Sequence, residues 1–211
     1  AAILFTSGST GPPKGVSYEH GVFEAQVNLI REHYDIKRGE IDFPMLPIFS
    51  LFNPALGMTT VVPEMNPSRP ATIDPRKVVE AIKQCGVTNS FGSPAIWAKV
   101  AQYCNANNIN LSTMKRVLIA GAPVPLQLIE KLSKLLTKGF VYTPYGATEC
   151  LPITSISSAE INKETAHLTL QGKGTCVGRP VPGLIIRIIK IYEKAIEEWC
   201  DRLELPQGSI G

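Results

Sequence analysis

The stretch Phe5-Thr6-Ser7-Gly8-Ser9-Thr10-Gly11-Pro12-Pro13-Lys14-Gly15-Val16 decides more about this 211-residue chain than any other segment. It combines three glycines with four hydroxyl side chains and one lysine. The backbone N–H groups and hydroxyls of such a loop can surround a phosphate chain while the lysine compensates its charge, and glycine permits the close approach. Residues 1–5 are apolar and predict a buried strand that runs into the loop. Because α/β proteins bind ligands where strands end, we interpret the segment as a phosphate-binding loop.

Two other interpretations of this loop are weaker. A Walker A loop, counted from Gly8, needs a glycine where Pro13 stands and a serine or threonine where Gly15 stands. This mismatch disfavours a P-loop kinase or ATPase. A segment rich in glycine and serine more often forms an ordinary flexible turn, but the apolar strand signal over residues 1–5 argues against that interpretation here.

The composition excludes several classes of protein. With 44% hydrophobic and 18% charged residues, the chain is typical of a globular protein with a sizeable core. The net charge of +3 is small and dispersed, so we expect no nucleic-acid partner. No apolar stretch approaches the roughly 18 residues of a membrane span. The oligomeric state is not determined by the sequence.

The cysteines are odd in number and widely separated, which predicts reduced thiols, no disulfide scaffold and a cytoplasmic location. They are Cys85, Cys104, Cys150, Cys176 and Cys200.

Strand and helix signals alternate over the first two thirds of the chain. The expected helices are 17–33 with Ser17 as its cap, a helix between Asp74-Pro75 and Gly86, a helix from Ser93-Pro94, and 125–136; the expected strands are 59–62, 87–91, 116–120 and 140–143, with 43–49 extended. This rhythm predicts an α/β fold with a mainly parallel sheet flanked by helices.

The character of the chain changes after Tyr145. Residues 150–211 are rich in glycine and short β-branched runs, which predicts a small β-rich, barrel-like segment. We therefore expect an α/β part over 1–149 that binds nucleotide and acyl group, followed by a truncated β-rich subdomain over 150–211. Because the chain begins inside a strand signal and ends abruptly, we expect it to be a fragment of a longer protein.

Three further segments follow predicted strands: Ser93-Pro94-Ala95, Ala120-Gly121-Ala122-Pro123 and Thr143 to Glu149. Because ligands bind at the carboxyl ends of parallel strands, these segments and the phosphate-binding loop are expected to share a cleft. Tyr145-Gly146-Ala147-Thr148-Glu149 is the strongest of them. It offers an aromatic face for a base, a hydroxyl, and a carboxylate able to hold Mg²⁺.

The pairing of Thr6–Gly15 with Tyr145–Glu149 resembles the AMP-forming acyl-adenylating superfamily, which includes acyl-CoA synthetases, luciferases and the adenylation domains of peptide synthetases. The resemblance covers the whole chain, including 93–95, 121–123 and Val177-Gly178-Arg179-Pro180-Val181-Pro182-Gly183. It implies that a carboxylate attacks the α-phosphate of Mg·ATP to give acyl-AMP and pyrophosphate, and that the acyl group then passes to an acceptor. Such chemistry depends on positioning and charge neutralisation.

The resemblance also implies residue roles, with Lys14, Thr148 and Glu149 as the catalytic residues. Thr148 would contact the α-phosphate and the acyl carboxylate, and Glu149 would ligate Mg²⁺. The ATP-binding residues would be Thr6, Ser7, Gly8, Ser9, Thr10, Gly11 and Lys14 at the β- and γ-phosphates, Gly121, Ala122 and Pro123 at the adenine, Tyr145 against the adenine face, and Gly146, Ala147 and Thr148 beside it.

The acyl pocket is expected at Phe49, Ser50, Phe52 and Ser93, although core packing explains the phenylalanines equally well. Many acyl-CoA synthetases carry a histidine where Ser50 stands, so the acyl-side wall departs from a standard CoA ligase. The resemblance implies that an acidic ribose-binding motif and a mobile C-terminal domain with a catalytic lysine lie beyond Gly211. The 211-residue chain alone is therefore expected to turn over poorly.

Within the superfamily, the chain is most similar to the β-lactone synthetases of bacterial olefin biosynthesis. The segments that carry this likeness are 46–47, 52–57, 68–70, 91–95, 120–125, 145–152 and 174–178. It implies a long-chain 3-hydroxy acid and ATP as substrates, with the acid's own hydroxyl closing the ring. Transfer to CoA is the alternative reaction. A nucleotide-binding module without turnover is the alternative from another class, and the presence of Lys14, Thr148 and Glu149 argues against it.

Overall fold

The structure, a computed structural model, describes residues 2–5, 12–66, 69, 72–206 and 208–210. Its strands are β1 Ala2–Phe5, β2 Gly15–Tyr18, β3 Ile41–Asp42, β4 Thr59–Thr60, β5 Asn89–Gly92, β6 Arg116–Ile119, β7 Phe140–Tyr142, β8 Tyr145–Ala147, β9 Cys150–Ser155 and β10 Arg179–Pro180. Its α-helices are α1 His20–His33, α2 Asn53–Leu56, α3 Pro75–Cys85, α4 Pro94–Ala106, α5 Leu126–Leu135, α6 Ser158–Glu160 and α7 Ala166–Leu170. Two 3₁₀ helices, Pro47–Leu51 and Asp201–Leu203, and a π-helix, Ile161–Thr165, complete the elements.

A five-stranded parallel sheet with the order β4-β3-β5-β6-β7 forms the centre of the fold. All four residues of β6 are buried, as in parallel strands covered on both faces. Because side chains alternate along a strand, Val117 and Ile119 pack with α3, α4 and α5, while Leu118 packs with α1 and α2 on the opposite face. The predicted α/β class, with a parallel sheet flanked by helices, is confirmed.

Local signals set the bounds of α3. The Asp74 side chain accepts a hydrogen bond from the Arg76 N–H at 2.9 Å, and Pro75 occupies the first helical position, where its missing N–H costs nothing. Gly86 ends the helix with φ +63°, the left-handed conformation that glycine adopts without strain. The predicted bounds of this helix are confirmed.

The predicted start of α1 at Ser17 is wrong. Ser17 lies in β2 opposite Ile3 of β1, and the helix begins at His20 with Glu19 as its N-cap. Serine is a favourable cap only where the chain is free to turn, and here strand pairing with β1 holds it extended. The antiparallel strands β1 and β2 precede and follow the loop that the sequence predicts to bind phosphate.

The expectation of an extended 43–49 segment holds only for its first half. Phe43 and Met45 donate backbone hydrogen bonds to the carbonyls of Asn89 and Phe91 at 2.9 and 2.8 Å, which continues the pairing with β5. The chain then turns into the 3₁₀ helix Pro47–Leu51.

The antiparallel strands lie in separate sheets, with β8, β9 and β10 in the order β10-β9-β8. The segment after β9 differs from the β-rich expectation, because α6, the π-helix and α7 form a helical stretch over residues 158–170. It starts at a reciprocal cap between Ser157 and Glu160, which is a local helix-start pattern. The hairpin of β8 and β9 crosses residue 150, and the domain division proposed there stays a prediction.

No helix within the described residues has the length and apolarity to cross a bilayer.

Candidate functional site

A cavity of about 660 Å³ lies at the carboxyl ends of β5, β6 and β7, where parallel sheets bind ligands. Three segments that the sequence placed in the site, and that are distant along the chain, meet around it. The site residues predicted from sequence that line it are Phe49, Gly121, Ala122, Pro123, Tyr145, Gly146, Ala147 and Thr148. Small and apolar groups dominate the wall, which suits a flat base or an acyl chain.

The segment after β6 forms the first wall. The Ala120 N–H donates to the Gly92 carbonyl at 3.2 Å, so β6 stays paired with β5 up to the cavity. Gly121 then adopts φ +90°, which turns the chain along the cavity rim. Apart from its two chain neighbours, no atom of the described residues lies within 4 Å of where a Cβ would stand. A flat ligand can therefore approach this backbone closely.

The hairpin of β8 and β9 forms the second wall. Ala147 pairs with Cys150, so Thr148 and Glu149 are the two residues of its turn. Gly146 is required by packing, because a Cβ there would stand 2.6 Å from Leu151 Cδ2 and 2.8 Å from the Cys150 carbonyl oxygen. This close packing fixes where the Thr148 side chain and the Glu149 carboxylate leave the backbone.

Aromatic side chains form the floor of the cavity. The ring of Phe49 stacks on Phe91 with centroids 3.5 Å apart. Tyr34 is buried beside them and donates its hydroxyl to Ser155 Oγ at 3.1 Å. Burial raises the pKa of Tyr34 above its usual range, so its hydroxyl remains a neutral hydrogen-bond donor. No motif in the sequence pointed to Tyr34, which reaches the site from the end of α1.

Residues 175–177 close one side of the cavity. Thr154 Oγ1 donates to the Val177 carbonyl at 2.5 Å, and the Val181 N–H donates to the Ile153 carbonyl at 3.0 Å, which ties this segment to β9. Gly178 makes the approach possible, since a Cβ there would stand 2.2 Å from the Ser155 carbonyl oxygen. The sequence resemblance included this segment but assigned it no role in the site.

Several predicted site residues are not among those that line the cavity. Lys14 is exposed directly before β2, and Glu149 is exposed in the turn next to Thr148. Thr6, Ser7, Gly8, Ser9, Thr10 and Gly11 lie outside the described residues. The roles of all these residues stay predictions.

Three residues of the expected acyl pocket also lie away from this lining. Phe52 is 1% exposed and packs against the Phe23 ring, with centroids 5.3 Å apart. The Ser93 side chain accepts the Ile96 N–H at 3.4 Å and caps α4. Ser50 is half-buried in the 3₁₀ helix. Their assignment to the acyl pocket stays a prediction.

The described residues contain no group of three or more His, Cys, Asp or Glu side chains that could hold a metal by themselves. A single carboxylate, Glu149, stands in the turn at the cavity. This donor set fits Mg²⁺, which usually keeps several waters and binds one or two carboxylates together with substrate phosphates. It does not fit zinc, which takes three or four protein ligands.

Comparison with known proteins agrees with this geometry. The family model described as AMP-binding enzyme matches residues 1–199. The chain is 47% identical to an olefin β-lactone synthetase of Xanthomonas campestris pv. campestris and 43% identical to one of Stenotrophomonas maltophilia, in both cases over 100% of this chain. A long-chain-fatty-acid–CoA ligase of Thermus thermophilus is 27% identical over 88% of this chain and is covered to 35%.

Among solved structures, O-succinylbenzoate coenzyme A synthetase from Bacillus subtilis in complex with ATP and magnesium ion superposes with a TM-score of 0.71 at 22% identity. The alignment covers 93% of this chain and 38% of that one, and it shows a shared fold. This chain spans 37% and 38% of the lengths of the two β-lactone synthetases. The chain belongs to the AMP-binding enzyme family.

Proposed function

We propose that the protein containing this chain activates a long-chain 3-hydroxy carboxylic acid with ATP and closes it to a β-lactone. In the first step a carboxylate oxygen attacks the α-phosphorus of ATP, the bond to the β-phosphate breaks, and pyrophosphate leaves. In the second step the acid's 3-hydroxyl oxygen attacks the acyl carbon, AMP leaves, and the hydroxyl proton passes to solvent. The observation that carries this proposal is the high identity to two olefin β-lactone synthetases along the whole chain.

Under this proposal, the roles are divided among the residues as follows. The open backbone at Gly121, with Ala122 and Pro123, and the Tyr145 ring would hold adenine. Thr148 would orient the α-phosphate and the attacking carboxylate, and the apolar floor at Phe49 and Phe91 would shield the acyl group from water. Lys14 and residues 6–11 would hold the β- and γ-phosphates. Mg²⁺ held by Glu149 would neutralise charge on the phosphates.

Transfer to CoA is the second candidate reaction. The similarity to a long-chain-fatty-acid–CoA ligase favours it, although at lower identity. Ser50 is a local departure from the resemblance to CoA ligases, because many acyl-CoA synthetases carry histidine at that position, and it does not decide the acceptor.

The deciding experiment uses the full-length protein with ATP, Mg²⁺ and a long-chain 3-hydroxy acid, without CoA. We expect AMP, pyrophosphate and a β-lactone in equal amounts. The matched control is the same acid without its 3-hydroxyl, which should support pyrophosphate exchange and give no lactone. Strict dependence on CoA would establish the ligase instead, and release of ADP and phosphate would exclude adenylation altogether.

Variants of the proposed catalytic residues test their roles. We expect Glu149→Ala to raise the Mg²⁺ concentration needed for half-maximal activity, and Lys14→Ala to slow adenylate formation. Glu64→Ala and Lys77→Ala, which separate an exposed ion pair away from the cavity, are the matched controls. Full activity in both Lys14→Ala and Glu149→Ala would refute the assignment.

A further inference from the structure

The hydroxyl of Tyr18 connects two parts of the site that are 130 residues apart along the chain. Tyr18 is the last residue of β2, the strand that follows the proposed phosphate-binding loop. It lies four residues after Lys14 in the sequence. Its hydroxyl donates a hydrogen bond to the backbone carbonyl of Thr148. Tyr18 is 1% exposed, and the accepting residue, Thr148, is half-buried in the turn.

The orientation of Tyr18 is itself supported from α1. Gln26 is 3% exposed and donates from Nε2 to the Tyr18 hydroxyl oxygen at 3.2 Å. Because that oxygen accepts from Gln26, its single proton is directed towards Thr148. A chain of two hydrogen bonds, the first of them buried, therefore runs from α1 through the end of β2 to the turn between β8 and β9.

The accepting carbonyl belongs to the peptide between Thr148 and Glu149. Holding this peptide fixes its plane, and with it the directions in which the two side chains leave the turn. Gly146 is packed against Leu151 and Cys150 on the other side of the turn. The turn is thus held from within the hairpin by packing and from outside by the Tyr18 hydroxyl.

We propose that Tyr18 is a positioning residue for adenylation, which couples the strand that leaves the phosphate-binding loop to the turn that presents Thr148 and Glu149. This inference rests on the proposed function. Through this one hydrogen bond, the pyrophosphate side and the acyl side of the reaction keep a fixed relative geometry. Tyr18 touches neither substrate and acts through the peptide it holds.

The test removes the hydroxyl alone, with Tyr18→Phe in the full-length protein. We expect pyrophosphate exchange to fall roughly five- to tenfold in kcat, the size that one lost hydrogen bond allows, with little change in the KM for ATP. Amides of residues 145–150 should exchange hydrogen faster, because the turn has lost its outer support.

Ser90→Ala is the matched control. Ser90 is fully buried and donates its hydroxyl to the Phe43 carbonyl at 2.6 Å, so its removal also deletes one buried bond to a backbone carbonyl. We expect a similar fall in melting temperature, unchanged kcat, and unchanged exchange at residues 145–150. An equal loss of kcat in both variants would reduce Tyr18 to a general stabiliser and overturn the inference.

Combining Tyr18→Phe with Thr148→Ala separates coupling from two independent effects. If Tyr18 acts through the turn that presents Thr148 and Glu149, the loss in the double variant should be smaller than the product of the two single losses. Multiplying losses would overturn the inference, as would full activity and unchanged exchange in Tyr18→Phe. Failure of the wild-type protein to release pyrophosphate with any carboxylic acid would refute the proposed function itself, an outcome distinct from an active wild type with an unaffected Tyr18→Phe.

Discussion

The amino ends and the carboxyl ends of the parallel strands, here called the amino edge and the carboxyl edge of the sheet, carry polar links of opposite kinds. At the amino edge, Arg116 in the first position of β6 forms an ion pair with Glu40 at 2.5 Å and donates to the backbone carbonyls of Tyr34 and Asp35. At the carboxyl edge, the link from Gln26 through Tyr18 to Thr148 consists of neutral groups. Both links fasten distant chain segments. The first reaches the backbone of Tyr34, whose side chain lies in the cavity floor, and the second reaches the Thr148 carbonyl in the turn between β8 and β9.

The two links differ in whether they carry charge. Burial alone would raise the pKa of Glu40, but the hydrogen bonds and charge of Arg116 outweigh it and hold that pKa below its usual range. The charged pair of Glu40 and Arg116 therefore lies at the amino ends of the strands. At the cavity, the neutral link through Tyr18 holds the turn of Thr148 and Glu149 without adding a charge there.

The largest effect is expected from Arg116→Met, which leaves Glu40 buried without its main partner. We expect a loss of about 3–5 kcal/mol in the free energy of unfolding, measured by urea denaturation at pH 7. Combination with Glu40→Gln should restore much of it. The exposed pair of Lys77 and Glu64 at 2.7 Å is the control, where Lys77→Met should cost less than about 1 kcal/mol.

The same variant tests the division between the edges. The rate of pyrophosphate release per folded Arg116→Met molecule should stay within about twofold of the wild-type rate. A lower free energy of unfolding does not by itself change how the molecules that remain folded bind the transition state. A large fall in activity of the folded fraction would show that the amino edge also controls the site.

Asp42 gives the next effect, because its hydrogen-bond partners are neutral amides and no arginine offsets its burial. Burial raises its pKa to about 6, against the lowering effect of hydrogen bonds from Asn53 and Asn89. Its contribution to stability is therefore fully present below the ordinary value of 3.8 and is lost as the pH rises to about 6. Relative to Asp42→Asn, the wild type should gain up to about 3 kcal/mol between pH 7 and pH 4.

Unfolding measured at half-unit pH steps checks this prediction. A constant difference between wild type and Asp42→Asn over that range would contradict it. Glu40 should act in the opposite sense. Because its pKa is lowered, its stabilisation is present above the ordinary glutamate value of 4.5 and is lost as the pH falls through the lower pKa of the folded state.

Gly146→Ala should disturb the carboxyl edge without touching a charge. The added Cβ would meet Leu151 and the Cys150 carbonyl, so the hairpin has to shift and carry Thr148 with it. We expect pyrophosphate exchange to fall about a hundredfold, since a displacement of about 1 Å is enough to misalign reacting groups. Gly21→Ala in α1, where the Cβ meets nothing within 4 Å, should retain activity and stabilise the helix slightly.

The smallest effect is expected from Gln26→Leu, which removes the support behind Tyr18. Gln26 Oε1 has no hydrogen-bond partner among the described residues, so losing the amide also removes an unsatisfied buried group. We expect a two- to threefold fall in kcat for pyrophosphate exchange and a change in stability below about 1 kcal/mol. Exposed Gln84→Leu is the control; a fall as large as that of Tyr18→Phe would place Gln26 at the centre of the link.

Local chemistry explains how much of the fold could be predicted. Asp74, Pro75 and Gly86 act within a few residues of the backbone they cap, so their helix was predicted with its observed bounds. Ser17 carried an equally good local signal, and the prediction was wrong because pairing with β1 is a contact between segments. The helical stretch over 158–170 was missed, although its reciprocal cap at Ser157 and Glu160 is a local pattern.

The sequence by itself determined the AMP-binding family, the α/β class and the strand-end segments of the site, because glycine-rich turns and strand–helix alternation are properties of neighbouring residues. Only the tertiary structure decided that Tyr34 and residues 175–177 join the cavity. It also decided that Arg116 and Tyr18 make the polar links at opposite edges of the parallel sheet. These contacts depend on how the strands are ordered and how closely segments pack. A hydrogen bond between residues 18 and 148 leaves no pattern in the intervening chain.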